Sequence, residues 1–172
     1  MSSLPKEKFF VMIADDSVDD RFLMRSAMQR ATRLEVMKEV SDGAEAITYF
    51  KNCFGKRAGK EWITPDLLLL DLKMPNRDGF EVLRWLRHQE ASQLMVVVLT
   101  DSMDPSHIRH ALELGADLFQ VKPDQQHERV AMVLALEQHL MATGVPQMRR
   151  ALRPATSLGT ARDIRAENFA AL

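Results

Sequence analysis

The sequence has a single cysteine and no long hydrophobic run. Cys53 stands alone among 172 residues, which excludes an internal disulfide and a metal site built from several thiolates. No segment approaches the roughly 18 consecutive apolar residues of a membrane-spanning helix. The first residues, MSSLPKEK, lack the apolar core of a signal peptide. We therefore expect a cytoplasmic protein with no membrane partner.

The chain also lacks an excess of charge of either sign. Its 23 basic and 24 acidic residues give a formal net charge of −1, which favours neither nucleic acid nor an anionic membrane as a partner. An apolar share of 46% and a charged share of 27% are typical of a globular protein. The length suits one domain of ordinary size with a short appendage.

Short apolar runs recur along the chain and predict five β-strands. The run LLLLDLKMP, residues 67–75, contains five Leu and lies between Pro65 and Pro75. Such a run is typical of a strand buried on both faces of a parallel sheet. The predicted strands are FFVMIA (9–14), LEVMKEV (34–40), DLLLLDL (66–72), MVVVLT (95–100) and DLFQVKP (117–123).

A helical pattern follows each apolar run. Asp42 with Glu45 three residues later, and Asp104 followed by Pro105, are typical of helix starts, and Gly115 is typical of a helix end. Five strand–helix units in alternation predict a parallel sheet with helices on both faces and right-handed crossovers. The last helix is expected to bury Val130, Val133, Leu134 and Leu140.

The final segment departs from this alternation. From Thr143 the chain becomes rich in Gly, Pro and Arg, with five Arg against two acidic residues. It is too short for a second domain of usual size. We therefore divide the chain into a domain, residues 1–142, and a tail, residues 143–172, without a separate output domain. The tail suits either a partly disordered or surface-packed segment or a short helix, residues 161–172, that binds a partner or stabilises a dimer.

Polar residues collect at the predicted carboxyl ends of four strands. Because these ends meet at one edge of a parallel sheet, where such sheets bind ligands, we expect the side chains to converge. Any one of them alone would suit a helix cap or a turn, but the ordered set favours a site. The set comprises Asp15, Asp16, Asp71, Thr100 and Lys122.

These residue types point to phosphoryl chemistry. Crowded carboxylates raise one another's pKa unless a cation joins them, and an oxygen-only site suits Mg²⁺. Asp71 can then act as a nucleophile toward phosphorus and form an aspartyl phosphate. Lys122 and Thr100 are the cation and the hydroxyl donor that an anionic transition state requires.

The ordered set resembles the receiver domain of response regulators over about residues 8–142. The matching segments are ADDS (14–17), PDLLLLDLKMPNRDG (65–79), VVLT (97–100) and GADLFQVKP (115–123). The resemblance implies an α/β, flavodoxin-like fold, a five-stranded parallel sheet in the order 2-1-3-4-5 with helices on both faces.

The resemblance also implies roles for individual residues. Asp71 would accept a phosphoryl group from a histidine kinase. Phe119 matches the aromatic residue that moves inward when the switch hydroxyl shifts, although from the sequence alone a core position suits it equally. The implied ligands are Asp15, Asp16, Asp71 and the backbone carbonyl of Lys73 for Mg²⁺, and Thr100 and Lys122 for the phosphoryl oxygens.

A narrower resemblance is to the single-domain regulators of phytochrome-type kinases. It rests on TPDLLLLDLKMPNRDGFEVL, residues 64–83, and on a long basic connection, residues 54–65, which could equally be a solvated insertion. Such regulators often dimerise. The resemblance therefore implies a homodimer through the face of the fourth helix, fifth strand and fifth helix, or through the tail.

Three residues depart from the receiver pattern: Asp101, Lys73 and Asp124, the last standing where an apolar residue commonly follows the Lys-Pro pair. Asp101 follows the switch hydroxyl, where a small residue is usual, and should repel a phosphoryl group unless it points outward. It favours the alternative of a pseudo-receiver, a protein-binding module that is not phosphorylated. Lys73 stands where an aspartyl phosphohydrolase needs a second acid, which argues against an enzyme acting on an external metabolite. We expect only self-catalysed phosphotransfer and autodephosphorylation.

Overall fold

The computed structural model of the chain describes residues 7–55, 62–89 and 93–146. In these ranges strands and helices alternate five times, as predicted. The strands are β1 (Phe9–Ala14), β2 (Leu34–Val40), β3 (Leu67–Asp71), β4 (Met95–Thr100) and β5 (Leu118–Val121). The helices are α1 (Val18–Met28), α2 (Gly43–Phe54), α3 (Gly79–Arg87), α4 (Pro105–Glu113) and α5 (Gln126–Thr143).

The five strands form one parallel sheet in the order β2-β1-β3-β4-β5. This confirms the predicted flavodoxin-like order. The strand order reverses between β1 and β3, which creates a crevice at their carboxyl ends. Ala14 of β1 is paired with Leu70 of β3, so the residues that follow them, Asp15 and Asp71, are neighbours at this edge.

The sheet is covered on both faces, which explains the leucine run of β3. Leu68 and Leu70 belong to the core cluster that includes residues of α2, α3 and α4. Leu67 and Leu69 belong to the cluster that includes residues of α1 and α5. Successive side chains of a strand point to opposite faces, so a strand between two helical layers is apolar at every position.

The helix ends follow the signals in the sequence. The Asp42 carboxylate caps α2 by accepting a hydrogen bond of 2.8 Å from the backbone N–H of Glu45. Asp104 caps α4, and Pro105 occupies its first turn. Gly115, just beyond α4, has a φ of 98°, in the left-handed region that favours glycine.

The predicted buried face of α5 is wrong at one position. Leu134 is 37% exposed, whereas Val133, Leu136 and Leu140 are buried. Residues three, four and seven apart share one face of a helix, and Leu134 is turned about 100° away from Val133. The same buried face carries Arg129, a charged residue that the apolar pattern did not include.

The first residues after α5 pack onto the domain. Val145 lies against the core cluster on the α5 side. The carbonyl of Pro146 accepts a hydrogen bond of 3.1 Å from the backbone N–H of Leu94. Residues 56–61 of the basic connection and residues 147–172 of the tail lie outside the described residues, so the predictions made for them and the division at residue 142 stay predictions. Among the described helices, none combines the length and apolarity needed to cross a membrane.

Candidate functional site

The structure brings the five predicted site residues to the carboxyl edge of the sheet. Asp15 and Asp16 follow β1, Asp71 and Thr100 end β3 and β4, and Lys122 follows β5. All except Asp16 are buried. The site is therefore embedded in the sheet edge and reaches solvent at Asp16.

Three carboxylates form the acidic part of the site. One oxygen from each of Asp15, Asp16 and Asp71 lies within 4.8 Å of the others. A cluster made of oxygen donors, with one exposed member, suits a hard divalent cation that retains water ligands. The cluster thus fits the predicted Mg²⁺ ligands at these three positions. The side chain of Lys73 is exposed, and the role of its carbonyl stays a prediction.

Lys122 supplies positive charge within the site. Its Nζ atom lies 2.8 Å from Oδ2 of Asp15 and 3.8 Å from Oδ1 of Asp71. Burial acts to lower the pKa of Lys122, but its contacts with Asp15, Asp71 and Asp20 outweigh burial and raise the pKa above its ordinary value. Lys122 is therefore a cation throughout the physiological pH range.

Lys122 balances only part of the negative charge of the two buried carboxyl groups, Asp15 and Asp71. The pKa of Asp71 is raised from 3.8 to about 6: burial raises it most, the attraction of Lys122 lowers it, and the charge of Asp15 raises it. Burial also raises the pKa of Asp15, although Lys122 and the N–H of Ser17 act in the opposite direction. The site is therefore short of positive charge, which a divalent ion would supply.

The position of Asp71 depends on a close approach by α3. A Cβ atom on Gly79 would collide with the backbone carbonyl oxygen of Asp71 and lie 2.8 Å from Cα of Leu72. The Gly79 N–H donates a hydrogen bond of 3.0 Å to the Leu72 carbonyl. Glycine is thus required where the start of α3 packs against the end of β3.

Thr100 and Phe119 lie where the sequence predicts them. Oγ1 of Thr100 accepts a hydrogen bond of 3.2 Å from the N–H of Ser102, and the Thr100 carbonyl accepts one of 2.9 Å from the N–H of Lys122. Phe119 is 3% exposed and belongs to the core cluster on the α4 side. Its side chain is therefore inward in this structure, and its movement with Thr100 stays a prediction.

Asp101 does not enter the site. Its side chain is exposed, unlike that of the adjacent Thr100, which is fully buried. This agrees with the expectation that Asp101 points outward in a functional receiver. A carboxylate in solvent is screened by water and salt, so it is a weak obstacle to an incoming phosphoryl group.

Two charged residues at the site were missed in the sequence. Asp20 of α1 lies 3.0 Å from Nζ of Lys122 and 3.3 Å from Nη2 of Arg129. Asp20 looked like an ordinary acidic residue of a first helical turn. Arg129 could have been found, because it lies four residues before Val133 and so falls on the buried stripe of α5.

Comparison with known proteins identifies the family of the chain. The family model described as the response regulator receiver domain matches residues 11–134. The chain is 30% identical over 138 residues to protein-glutamate methylesterase/protein-glutamine glutaminase 3 of Geobacter sulfurreducens, covering 80% of this chain and 34% of that protein. It is 30% identical over 136 residues to the transcriptional regulatory protein GltR of Pseudomonas aeruginosa, covering 78% and 51%. The chain thus spans about half or less of the length of these relatives.

Solved structures show the same relationship. The phosphorylated cyanobacterial phytochrome response regulator RcpA has a TM-score of 0.66 and 26% identity, over 81% of this chain and 98% of that chain. The signal receiver domain of NarL from Mycobacterium tuberculosis has a TM-score of 0.61 and 28% identity, over 77% and 98%. The family model, over residues 11–134, covers most of β1 and all of β2, β3, β4 and β5. This chain therefore belongs to the family of response regulator receiver domains, the modules of two-component signalling.

Proposed function

We propose that the chain is a signalling switch that accepts a phosphoryl group on Asp71 from a sensor histidine kinase. The observation that carries this proposal is the buried Lys122, which lies 3.8 Å from Asp71 beside a cluster of three carboxylates. A carboxylate cluster alone would suit metal binding. A buried cation beside the nucleophile is what an anionic phosphoryl group requires in addition.

The transfer step uses groups that are already in place. A carboxylate oxygen of Asp71 attacks phosphorus in line, and the P–N bond of the donor phosphohistidine breaks, leaving its electron pair on the imidazole nitrogen. Lys122 then contacts a phosphoryl oxygen. The Thr100 hydroxyl accepts from Ser102, so its own proton is available for a second phosphoryl oxygen.

The residues that would hold Mg²⁺ are Asp15, Asp16 and Asp71, with the backbone carbonyl of Lys73 as a further proposed ligand. When bound, the ion neutralises negative charge on the phosphoryl oxygens and the carboxylates. The raised pKa values of Asp15 and Asp71 support this assignment, because they indicate carboxylates that lack sufficient positive charge around them.

The phosphoryl group would then shift an equilibrium between two conformations. Thr100 ends β4 and is paired with Val121 of β5, the strand that carries Phe119. A displacement of Thr100 toward the phosphoryl group would therefore reach β5 and its neighbours α4 and α5. We propose this face, or the tail, as the surface for a homodimer or a downstream protein. The cytoplasmic location stays a prediction.

A phytochrome-type kinase is the proposed donor. The similarity to the phytochrome response regulator RcpA, at 26% identity, supports this choice. The chain would catalyse its own phosphorylation and the hydrolysis of its acyl phosphate, without turning over an external metabolite. The exposure of Asp101 weakens the support for the pseudo-receiver alternative.

Intact-protein mass spectrometry after incubation with acetyl phosphate and Mg²⁺ tests the acceptor. The wild type should gain one phosphoryl group that is lost under alkaline conditions, as an acyl phosphate is. Asp71→Asn should gain none. Asp19→Asn, which changes an exposed acid of α1, is the matched control and should behave like the wild type.

The donor class is tested by transfer from a purified phytochrome-type kinase carrying labelled phosphohistidine. Labelled phosphate should move to the wild type faster from the phytochrome-type kinase than from a histidine kinase of another class. A folded wild type that gains no phosphoryl group from either donor would overturn the proposal and favour the pseudo-receiver.

A further inference from the structure

Lys122 has a second carboxylate partner outside the predicted metal ligands. Its Nζ atom lies 3.0 Å from Oδ2 of Asp20, in the first turn of α1. The side chain of Asp20 is 28% exposed, so this ion pair is largely shielded from solvent. Lys122 is therefore closer to Asp20 than to Asp71, which lies 3.8 Å away.

Asp20 also contacts a buried cation on the opposite side. Its Oδ1 atom lies 3.3 Å from Nη2 of Arg129, whose side chain is 9% exposed. Nη1 of Arg129 donates a hydrogen bond of 3.3 Å to the carbonyl of Asp124, in the loop after Lys122. A buried guanidinium is stable only when its charge is paired. Asp20 thus bridges Lys122 and Arg129 with its two oxygens.

This arrangement sets up a competition for Lys122. An aspartyl phosphate adds up to about two negative charges beside Asp71, and a lysine has three N–H donors in all. Lys122 already serves Asp15 at 2.8 Å and Asp20 at 3.0 Å. The contact with Asp20 is the one that can be given up, because Asp20 keeps Arg129 as a partner.

We propose that Asp20 is a positioning residue that restrains Lys122 in the unphosphorylated protein, and that Arg129 weakens this restraint by sharing the Asp20 charge. The inference rests on the proposed function, since it concerns the same phosphoryl transfer. Phosphorylation moves Lys122 from Asp20 to the phosphoryl group, while the pair between Asp20 and Arg129 remains. The three-residue network then links the acidic site to α1 and α5.

The two charges are expected to act in opposite directions. Asp20→Asn removes the competitor and should accelerate phosphorylation of Asp71. Arg129→Gln leaves Asp20 with Lys122 as its remaining cation, which strengthens the restraint and should slow phosphorylation. In a double variant the loss of Arg129 has no charged Asp20 to act on. The double variant should therefore behave like Asp20→Asn.

The experiment measures initial rates of phosphorylation by intact mass, with Mg²⁺ and a series of acetyl phosphate concentrations. Coupled network residues lead us to expect Asp20→Asn to be at least about threefold faster and Arg129→Gln at least about threefold slower than the wild type. The double variant should lie within about twofold of Asp20→Asn. Asp19→Asn is the matched control for a lost exposed charge, and Arg129→Lys keeps the cation; both should stay near the wild-type rate.

A purely structural role would not produce this pattern. Loss of packing would slow both single variants and slow the double variant further. A general effect of charge would accelerate Asp19→Asn as well, and Arg129→Gln would slow the reaction equally in the Asp20→Asn background. Thermal melts identify variants that do not fold.

Asp20→Asn leaves the buried Arg129 without its carboxylate partner. If that variant does not fold, the double variant, which removes both charges, decides the inference: a rate at or below that of Asp19→Asn would overturn it. A rate for Asp20→Asn equal to or below that of Asp19→Asn, with wild-type phosphorylation intact, would overturn this inference and leave the proposed function standing. A folded wild type that takes up no phosphoryl group would overturn both.

Discussion

Nζ of Lys122 lies 3.8 Å from Oδ1 of Asp71, beyond the distance of a direct hydrogen bond. Lys122 attracts the Asp71 carboxylate but does not form a hydrogen bond with it, because its shorter contacts are with Asp15 and Asp20. Burial can therefore raise the pKa of Asp71 to about 6 despite an adjacent cation. The negative charge of the Asp71 carboxylate is thus only partly balanced, and several measurable properties depend on this.

Asp71→Asn should stabilise the metal-free protein near neutral pH. The folded-state pKa is raised, so the proton on Asp71 favours folding below the ordinary value of 3.8, and this contribution is lost as the pH rises through about 6. Ionised Asp71 then costs on the order of 3 kcal/mol, taken as an upper bound. Asn carries no charge, so the variant avoids this cost.

Thermal melts in EDTA test this. We expect Asp71→Asn to melt several degrees above the wild type at about pH 7.5, with the gap closing toward about pH 4.5. Asp101→Asn, a change at an exposed acid, should show no such pH dependence. An Asp71→Asn variant that melts below the wild type at the higher pH would contradict the prediction.

Mg²⁺ should stabilise the protein in a pH-dependent manner. Its ligands must be ionised, and Asp71 holds a proton below about pH 6 in the metal-free site. Excess Mg²⁺ should therefore raise the melting temperature clearly at about pH 7.5 and little at about pH 5. Asp15→Asn and Asp71→Asn should reduce the effect, and Asp19→Asn should not. Equal stabilisation of Asp15→Asn and the wild type would place the ion elsewhere.

The sequence predicted which residues meet at the sheet edge because a parallel sheet simplifies the problem. Once five strands are recognised, the residues after each strand must meet at one edge, whatever the details of packing. Asp71 was found at the end of a leucine run, and Lys122 between the end of β5 and the proline that follows. Both positions are determined by local sequence signals, so no information about long-range contacts was needed.

The missed features depend on contacts between elements that are distant in sequence. Arg129 and Glu137 lie on the buried face of α5, where they are paired with Asp20 and with the backbone N–H of Arg33. A prediction from apolar residues alone treats charged positions as exposed. The predicted buried face of α5 was therefore rotated toward Leu134. Only the partners from α1 and its following loop explain why charges are tolerated there.

Gly79→Ala should displace the end of β3. The new methyl group would meet the Asp71 carbonyl oxygen and Cα of Leu72, both of which are backbone atoms and cannot rotate away. We expect a loss of about 1–3 kcal/mol in the free energy of unfolding, as for overpacking in a core. Phosphorylation should also slow, since Asp71 would leave its position beside Lys122.

Chemical denaturation and acetyl phosphate kinetics test the two effects of this change together. Gly144→Ala is a useful comparison, because a Cβ atom there meets no atom within 4 Å, although its φ of 72° adds backbone strain. That variant should lose stability through this strain but keep its phosphorylation rate. Wild-type stability and rate in Gly79→Ala would contradict the close approach.

Asp101→Ala should leave the phosphorylation rate within about twofold of the wild type in physiological salt. Asp101 is exposed and Thr100 beside it is buried, so the two side chains point to different environments. A charge in solvent acts on an incoming anion mainly over a Debye length of about 8 Å and weakens as salt is added. Initial rates at low and high ionic strength, with Lys73→Ala as a comparison for an exposed cation next to the site, measure this. The expected result is a small rate increase for Asp101→Ala that disappears in high salt. An increase of about tenfold or more that persists in high salt would mean that Asp101 turns inward during transfer.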